Sequence, residues 1–134
     1  GVGFWRIGFQ QGAVAMSILH DSHNISVVGA SDTDMALAAN RVAAIQGGIV
    51  VVRNGVVLAE VPLPIGGLMT DEPVSELIPL IQKARDQISL LSPGKALGED
   101  PLFALTFIYL TCHPRTYAQT DRGLFEVETS RKIR

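Results

Sequence analysis

Ile49-Val50-Val51-Val52-Arg53-Asn54-Gly55-Val56-Val57-Leu58-Ala59-Glu60-Val61 is the stretch whose reading decides the fold class. Ile49–Val52 is β-branched throughout, which suits a pleated, buried strand. Asn54-Gly55 is the strongest short hairpin signal, because both central residues of a two-residue turn must take positive φ. Val56–Val61 then returns as the partner strand. A hairpin makes antiparallel neighbours, whereas parallel strands need a long crossover. The expected class is therefore α+β rather than doubly wound.

Working upstream, Gly47-Gly48 closes a helix that opens at Ser31. Ser31 and Asp34 form a capping-box-like start, with Asp in place of the longer Glu. Met35, Ala38, Ala39, Val42 and Ile45 recur at helical spacing behind it. Ala13–Leu19 and Ile25–Ala30 are short apolar runs that read as strands joined by a polar turn, a second hairpin.

Downstream, Pro62 and Pro64 limit pairing and place that end of the strand at a sheet edge. Asp71 is the expected cap of a second helix, with Pro73 in its first turn. Leu77, Leu80, Ile81, Ala84, Ile88 and Leu91 supply its apolar face, and Pro79 is expected to kink or split it. Ser92–Asp100 reads as a Pro/Gly-bearing loop. Phe103–Leu110 is ambiguous between strand and helix, and its Phe, Thr, Ile and Tyr content favours strand. The polar, basic tail after Val127 is expected to fray. The sum is a mostly antiparallel sheet of about five or six strands built from hairpins, with two or three helices packed on it. Nothing divides residues 1–134, so one domain is expected.

Composition narrows the function classes. The chain is 47% hydrophobic and 18% charged, enough apolar content for a packed core. A net charge of −2 leaves no general basic field, so nucleic acid is not an expected partner. Apolar runs such as Gly48–Val52 and Leu102–Leu110 are too short for a bilayer, and no membrane partner is expected. No signal-peptide pattern is present, and Cys112 has no second cysteine to pair with, so a reducing cytoplasm is expected. The start Gly1-Val2-Gly3-Phe4-Trp5 is apolar and lacks Met. A removed tag accounts for the missing Met; an apolar beginning leads us to expect further chain upstream.

Candidate chemistry concentrates in His20-Asp21-Ser22-His23-Asn24, which places two imidazoles and a carboxylate within four residues. Such groups suit a transition-metal site or an acid/base pair. Spacing opposes the metal reading: strand residues three apart face opposite ways, and only His113 and Cys112 remain as further ligands. The plain alternative is a hydrogen-bonded turn in which Asp21 and Asn24 hold backbone amides. A third reading is a polar loop facing a substrate or partner. Asp21, Ser22 and His23 do not make a triad, which converges in space rather than along a chain, and no nucleophile elbow surrounds Ser22. Cys112-His113 has the same fault. Gly66-Gly67 before a helix suggests a phosphate cradle, but Asp71 and Glu72 would repel an anion there. No catalytic residue and no metal ligand is therefore assigned.

Further blocks stand out along the chain: Gly12-Ala13-Val14-Ala15, His20-Asp21-Ser22-His23-Asn24-Ile25, Val28-Gly29, and Asp34-Met35-Ala36-Leu37-Ala38. Gly47-Gly48-Ile49-Val50-Val51-Val52, Leu63-Pro64-Ile65-Gly66-Gly67-Leu68-Met69 and Thr120-Asp121-Arg122-Gly123-Leu124-Phe125 continue the series. Together, and in family order, these blocks resemble the C-terminal domain of bacterial and archaeal adenine deaminases. Phe4-Trp5-Arg6-Ile7 is not firmly matched, and residues 99–115 are only generally similar.

The resemblance implies a parent enzyme of the metal-dependent amidohydrolase superfamily that converts adenine and water to hypoxanthine and ammonia. It places the metal ligands, including a His-x-His motif, on an N-terminal (β/α)8 barrel that uses manganese or iron to activate water. No two of His20, His23 and His113 are separated by a single residue, so that motif is absent here. The implied role is non-catalytic: support of the barrel site or of assembly, with the barrel of the same enzyme as partner, homo-oligomerisation expected, and adenine as the parent substrate. Two other readings stay open. One is a small-ligand or metal-binding module centred on His20–Asn24. The other is a purely structural oligomerisation domain.

Overall fold

A computed structural model describes residues 8–19, 24–94, 96–107, 117–120, 122–126 and 129–133. Four strands form the main sheet: β1 (Ala13–Met16), β2 (Ser26–Gly29), β3 (Gly48–Arg53) and β4 (Val56–Pro62), in the order β2-β1-β3-β4 with every pairing antiparallel. Both expected hairpins are present. Asn54 (φ 53°) and Gly55 (φ 75°) take the positive φ values their turn requires. β4 is an edge strand, as Pro62 and Pro64 imply.

Among the described residues, three helices cover the sheet on both faces. α1 (Asp32–Ala44) packs on one face, with Ala38 and Val42 buried against Ala13, Ala15, Val50 and Val52. α2 (Val74–Leu91) and α3 (Pro101–Phe107) cover the other, where Ala84, Ile88, Leu91, Leu102 and Leu105 meet Val14, Met16, Ile49, Val51, Ala59 and Val61. Cross-strand partners share a face, so Val14 opposite Val51 and Ala15 opposite Val50 sort into the two cores by the period of two. Central strands buried on both faces explain why β1 and β3 are apolar without alternation. Each fully buried Ile or Leu of the α2 stripe contributes on the order of 1.5–3 kcal/mol. One residue is extra in the edge pairing. Val51 opposes Ala59 and Val52 opposes Val57, leaving Leu58 as a bulge.

Ser31 caps α1 as expected, its hydroxyl accepting from the Asp34 N–H at 3.3 Å. Gln46 (φ 63°) follows the last turn before Gly47. Arg41 reaches across to Glu60 on β4 through two hydrogen bonds of 2.6 and 3.0 Å. The hydrogen bond to Glu60 and its charge raise the Arg41 pKa above its ordinary value.

Four local expectations are corrected. Asp71 does not cap α2: Pro73 is the N-cap, without a side-chain cap bond, and its carbonyl accepts from Glu76 and Leu77. Glu72 precedes a proline and is steered away from helical backbone, so a helix starting at Asp71 would strain there. Of the two effects expected of Pro79, the split does not occur: α2 runs as one element through it. Pro79 and Ser75 are both exposed, so water can take the Ser75 carbonyl that the missing N–H leaves over.

The stretch beginning at Phe103 is helical, not a strand, as far as Phe107; residues 108–110 lie outside the described set. Asp100 accepts from the Phe103 N–H at 3.0 Å, Pro101 fills the first turn, and Leu102 and Leu105 bury one face. The tail does not simply fray. β5 (Tyr117–Thr120), β6 (Gly123–Glu126) and β7 (Arg131–Lys132) make a second antiparallel sheet. The strands are thus shared between a four-stranded and a three-stranded sheet, within the expected α+β class.

Candidate functional site

One end of the main sheet gathers most of the singled-out segments. There β1 ends, β2 begins, β3 begins and β4 ends, because all four strands alternate in direction. The segments leaving this end are the polar turn between β1 and β2, the Gly47-Gly48 entry to β3, and Leu63–Met69 after β4.

Ser17 ties these segments together. Its hydroxyl donates to the Gly67 carbonyl at 2.5 Å and accepts from the Gly48 N–H at 2.7 Å. Its own N–H donates to the Gly48 carbonyl at 3.0 Å. Glycine is required where the segments cross: a Cβ on Gly47 (φ 116°) would lie 2.4 Å from the Gly67 Cα. Gly66-Gly67 is therefore a turn and a close approach, and it precedes Val74 by several residues rather than opening α2.

Of the predicted turn, His20, Asp21, Ser22 and His23 lie outside the described residues, as do Cys112 and His113. Asn24 is exposed. The roots of the turn are firm: Leu19 and Ser26 are buried, and Met16 pairs with Ser26. The turn thus leaves and re-enters the sheet at adjacent positions beside Ser17. Among the described residues no three His, Cys, Asp or Glu side chains gather as a metal-holding group, so these residues do not fit the divalent metal that the resemblance implies. No helix among them is long and apolar enough to cross a membrane.

Sequence reasoning missed the exposed apolar loop at this end. Ile65 and Met69 exchange backbone hydrogen bonds of 3.0 and 3.1 Å, closing a small loop that turns Ile65, Leu68 and Met69 outward. The signal was present in Ile65-Gly66-Gly67-Leu68-Met69: a tight two-glycine turn between large apolar residues leaves little room to bury them. An open groove of about 470 Å³ adjoins the loop, lined by Pro62, Pro64, Leu77 and Leu80, with Asp71 and Glu76 at its sides.

The arrangement combines polar anchoring, glycine crossings and apolar display. The family described as "Adenine deaminase C-terminal domain" matches residues 1–131. The chain belongs to this family.

Among curated relatives named adenine deaminase, that of Brucella melitensis biotype 1 is 50% identical over 121 residues, covering 90% of this chain and 20% of the relative. That of Lysinibacillus sphaericus is 44% identical over 126 residues, covering 94% of this chain and 21% of the relative. That of Methylobacterium nodulans is 45% identical over 126 residues, covering 94% and 22% respectively. The chain spans about a fifth of the length of the relatives it matches.

Proposed function

We propose that the chain works as the non-catalytic C-terminal part of a metal-dependent enzyme that hydrolyses adenine to hypoxanthine and ammonia. The observation that carries this is the match over residues 1–131 together with coverage of only 20% of a relative named adenine deaminase. In this reading residues 1–134 form one domain, and the reacting groups and the manganese or iron belong to an N-terminal barrel. The parent enzyme is cytoplasmic, homo-oligomeric and active in purine salvage.

Within that enzyme the turn His20-Asp21-Ser22-His23-Asn24 faces the barrel and helps order its active site. What supports this is composition and place in the sequence: five polar residues, two of them imidazoles, follow the anchored Ser17 closely along the chain. Imidazoles titrate near neutrality, which suits groups next to a proton-transfer site. Side chains at a junction can orient a substrate without bonding to the reacting atoms.

Ammonia release from adenine tests the reading, measured on the intact enzyme and on the 134-residue chain alone, each supplied with manganese or iron. We expect turnover by the intact enzyme and none by the chain. Turnover in proportion to the amount of isolated chain would overturn the non-catalytic assignment.

A further inference from the structure

The loop Ile65–Met69 displays apolar side chains on a hydrogen-bonded frame. Ile65, Leu68 and Met69 are 44%, 38% and 60% exposed. Their backbone is closed by the Ile65–Met69 hydrogen bonds and clamped by Ser17 at Gly67. The first turns of α2 add Val74 and Ile78, exposed and four residues apart on one helical face. Beside the residues that flank this loop runs a groove lined by Pro62, Pro64, Leu77 and Leu80 together with Thr70, Asp71, Glu72 and Glu76. Scattered exposed hydrophobics need no explanation, but a cluster on a pinned loop beside an apolar groove marks an interaction face. A rigid face also loses little conformational entropy on docking.

From this clustering we infer that the Ile65–Met69 loop and the adjoining groove are the seat for the N-terminal part of the enzyme's own chain, through an apolar patch bordered by Lys or Arg. The inference rests on the reading given above, that the chain is one part of a larger enzyme. Most of each relative's length lies outside the match, so a large intramolecular partner exists in those proteins. The border chemistry is set by Asp71, Glu72 and Glu76, which line the same groove. Those carboxylates disfavour a second copy as occupant, because a two-fold contact would set the same acidic patch against itself.

Thiol alkylation in the intact native enzyme tests the inference. Met69→Cys is compared with Val56→Cys, since Met69 and Val56 are 60% and 58% exposed, Val56 opening β4 and Met69 lying in the loop that follows its other end. Rates are read by peptide mass spectrometry and normalised to the denatured protein, which separates both sites from Cys112. We expect the thiol at 69 to react slower than that at 56 by on the order of tenfold or more, as burial at an interface demands. Equal rates would overturn the inference. So would protection at 69 that disappears on hundredfold dilution, because that assigns the seat to another copy. Adenine deamination is assayed on the same samples. Equal labelling in an active enzyme removes the docking face and leaves the functional reading; slow labelling in an inactive one does the reverse.

Discussion

The Asp34 carboxylate accepts the backbone N–H groups of Gly55 at 2.8 Å and Asn54 at 3.0 Å, so the first turn of α1 holds the tip of the β3–β4 hairpin. A capping box would have sent this side chain back to the Ser31 N–H. Instead Asp34 is buried, and only the Ser31 half of the reciprocal pattern forms. The hairpin's two central amides would otherwise need water or strand partners. A charged acceptor shared by both is a strong substitute.

Asp34→Ala removes that acceptor and leaves two amides to be resolvated at a cramped site. A stability loss of about 2–4 kcal/mol is expected, since hydrogen bonds to charged groups contribute more than neutral ones. The check is the urea midpoint of the 134-residue chain. A loss within about 0.5 kcal/mol, the range of neutral surface changes, would show that water replaces the carboxylate without cost.

Ser17→Ala and Gly47→Ala probe the anchored sheet end separately. Ser17→Ala takes a partner from the Gly48 N–H and the Gly67 carbonyl, with an expected loss of about 1–3 kcal/mol. Gly47→Ala adds a Cβ 2.4 Å from the Gly67 Cα at a φ of 116°, so it forces the loop off the strand entry. Its expected loss is larger, and the Leu63–Met69 amides should exchange faster with deuterium in both variants. Wild-type exchange in that loop would mean that the clamp is not what orders it.

Chelator should leave the thermal midpoint of the isolated chain unchanged. Two apolar cores on the two sheet faces provide the packing that small domains without such cores borrow from a metal. A midpoint that falls by many degrees on chelation would point to a structural metal at His20 and His23.

His20→Ala and His23→Ala, made one at a time in the intact enzyme, test the role of the polar turn. A fall in kcat/KM on the order of tenfold or more, with little change in unfolding midpoint, is expected of a turn that orders the active site. Activity that tracks unfolding, or wild-type kinetics in both variants, would leave the turn as a connection between strands only.

The sequence alone determined whatever rests on chemistry between near neighbours. Asn54-Gly55 can hardly do anything but turn, Ser31 caps the helix that begins at Asp32, and apolar spacing at Ala38 and Val42 settles which face of α1 is inward. The helical Pro101–Phe107 is legible on the same terms, through Asp100, Pro101 and the Leu102–Leu105 spacing. It reads as strand only when β-favouring composition is given more weight than the cap. Tertiary structure decided what joins residues distant along the chain. Asp34 lies 21 residues from Gly55, and Ser17 lies 50 from Gly67. A carboxylate or hydroxyl has many partners available to it locally. Only the packing of α1 and of the Leu63–Met69 loop against the sheet brings these particular amides and carbonyls within reach. The exposed face around Met69 has the same origin: its residues are apolar by sequence, but their outward orientation is set by a turn that crosses Gly47 and is held there by Ser17.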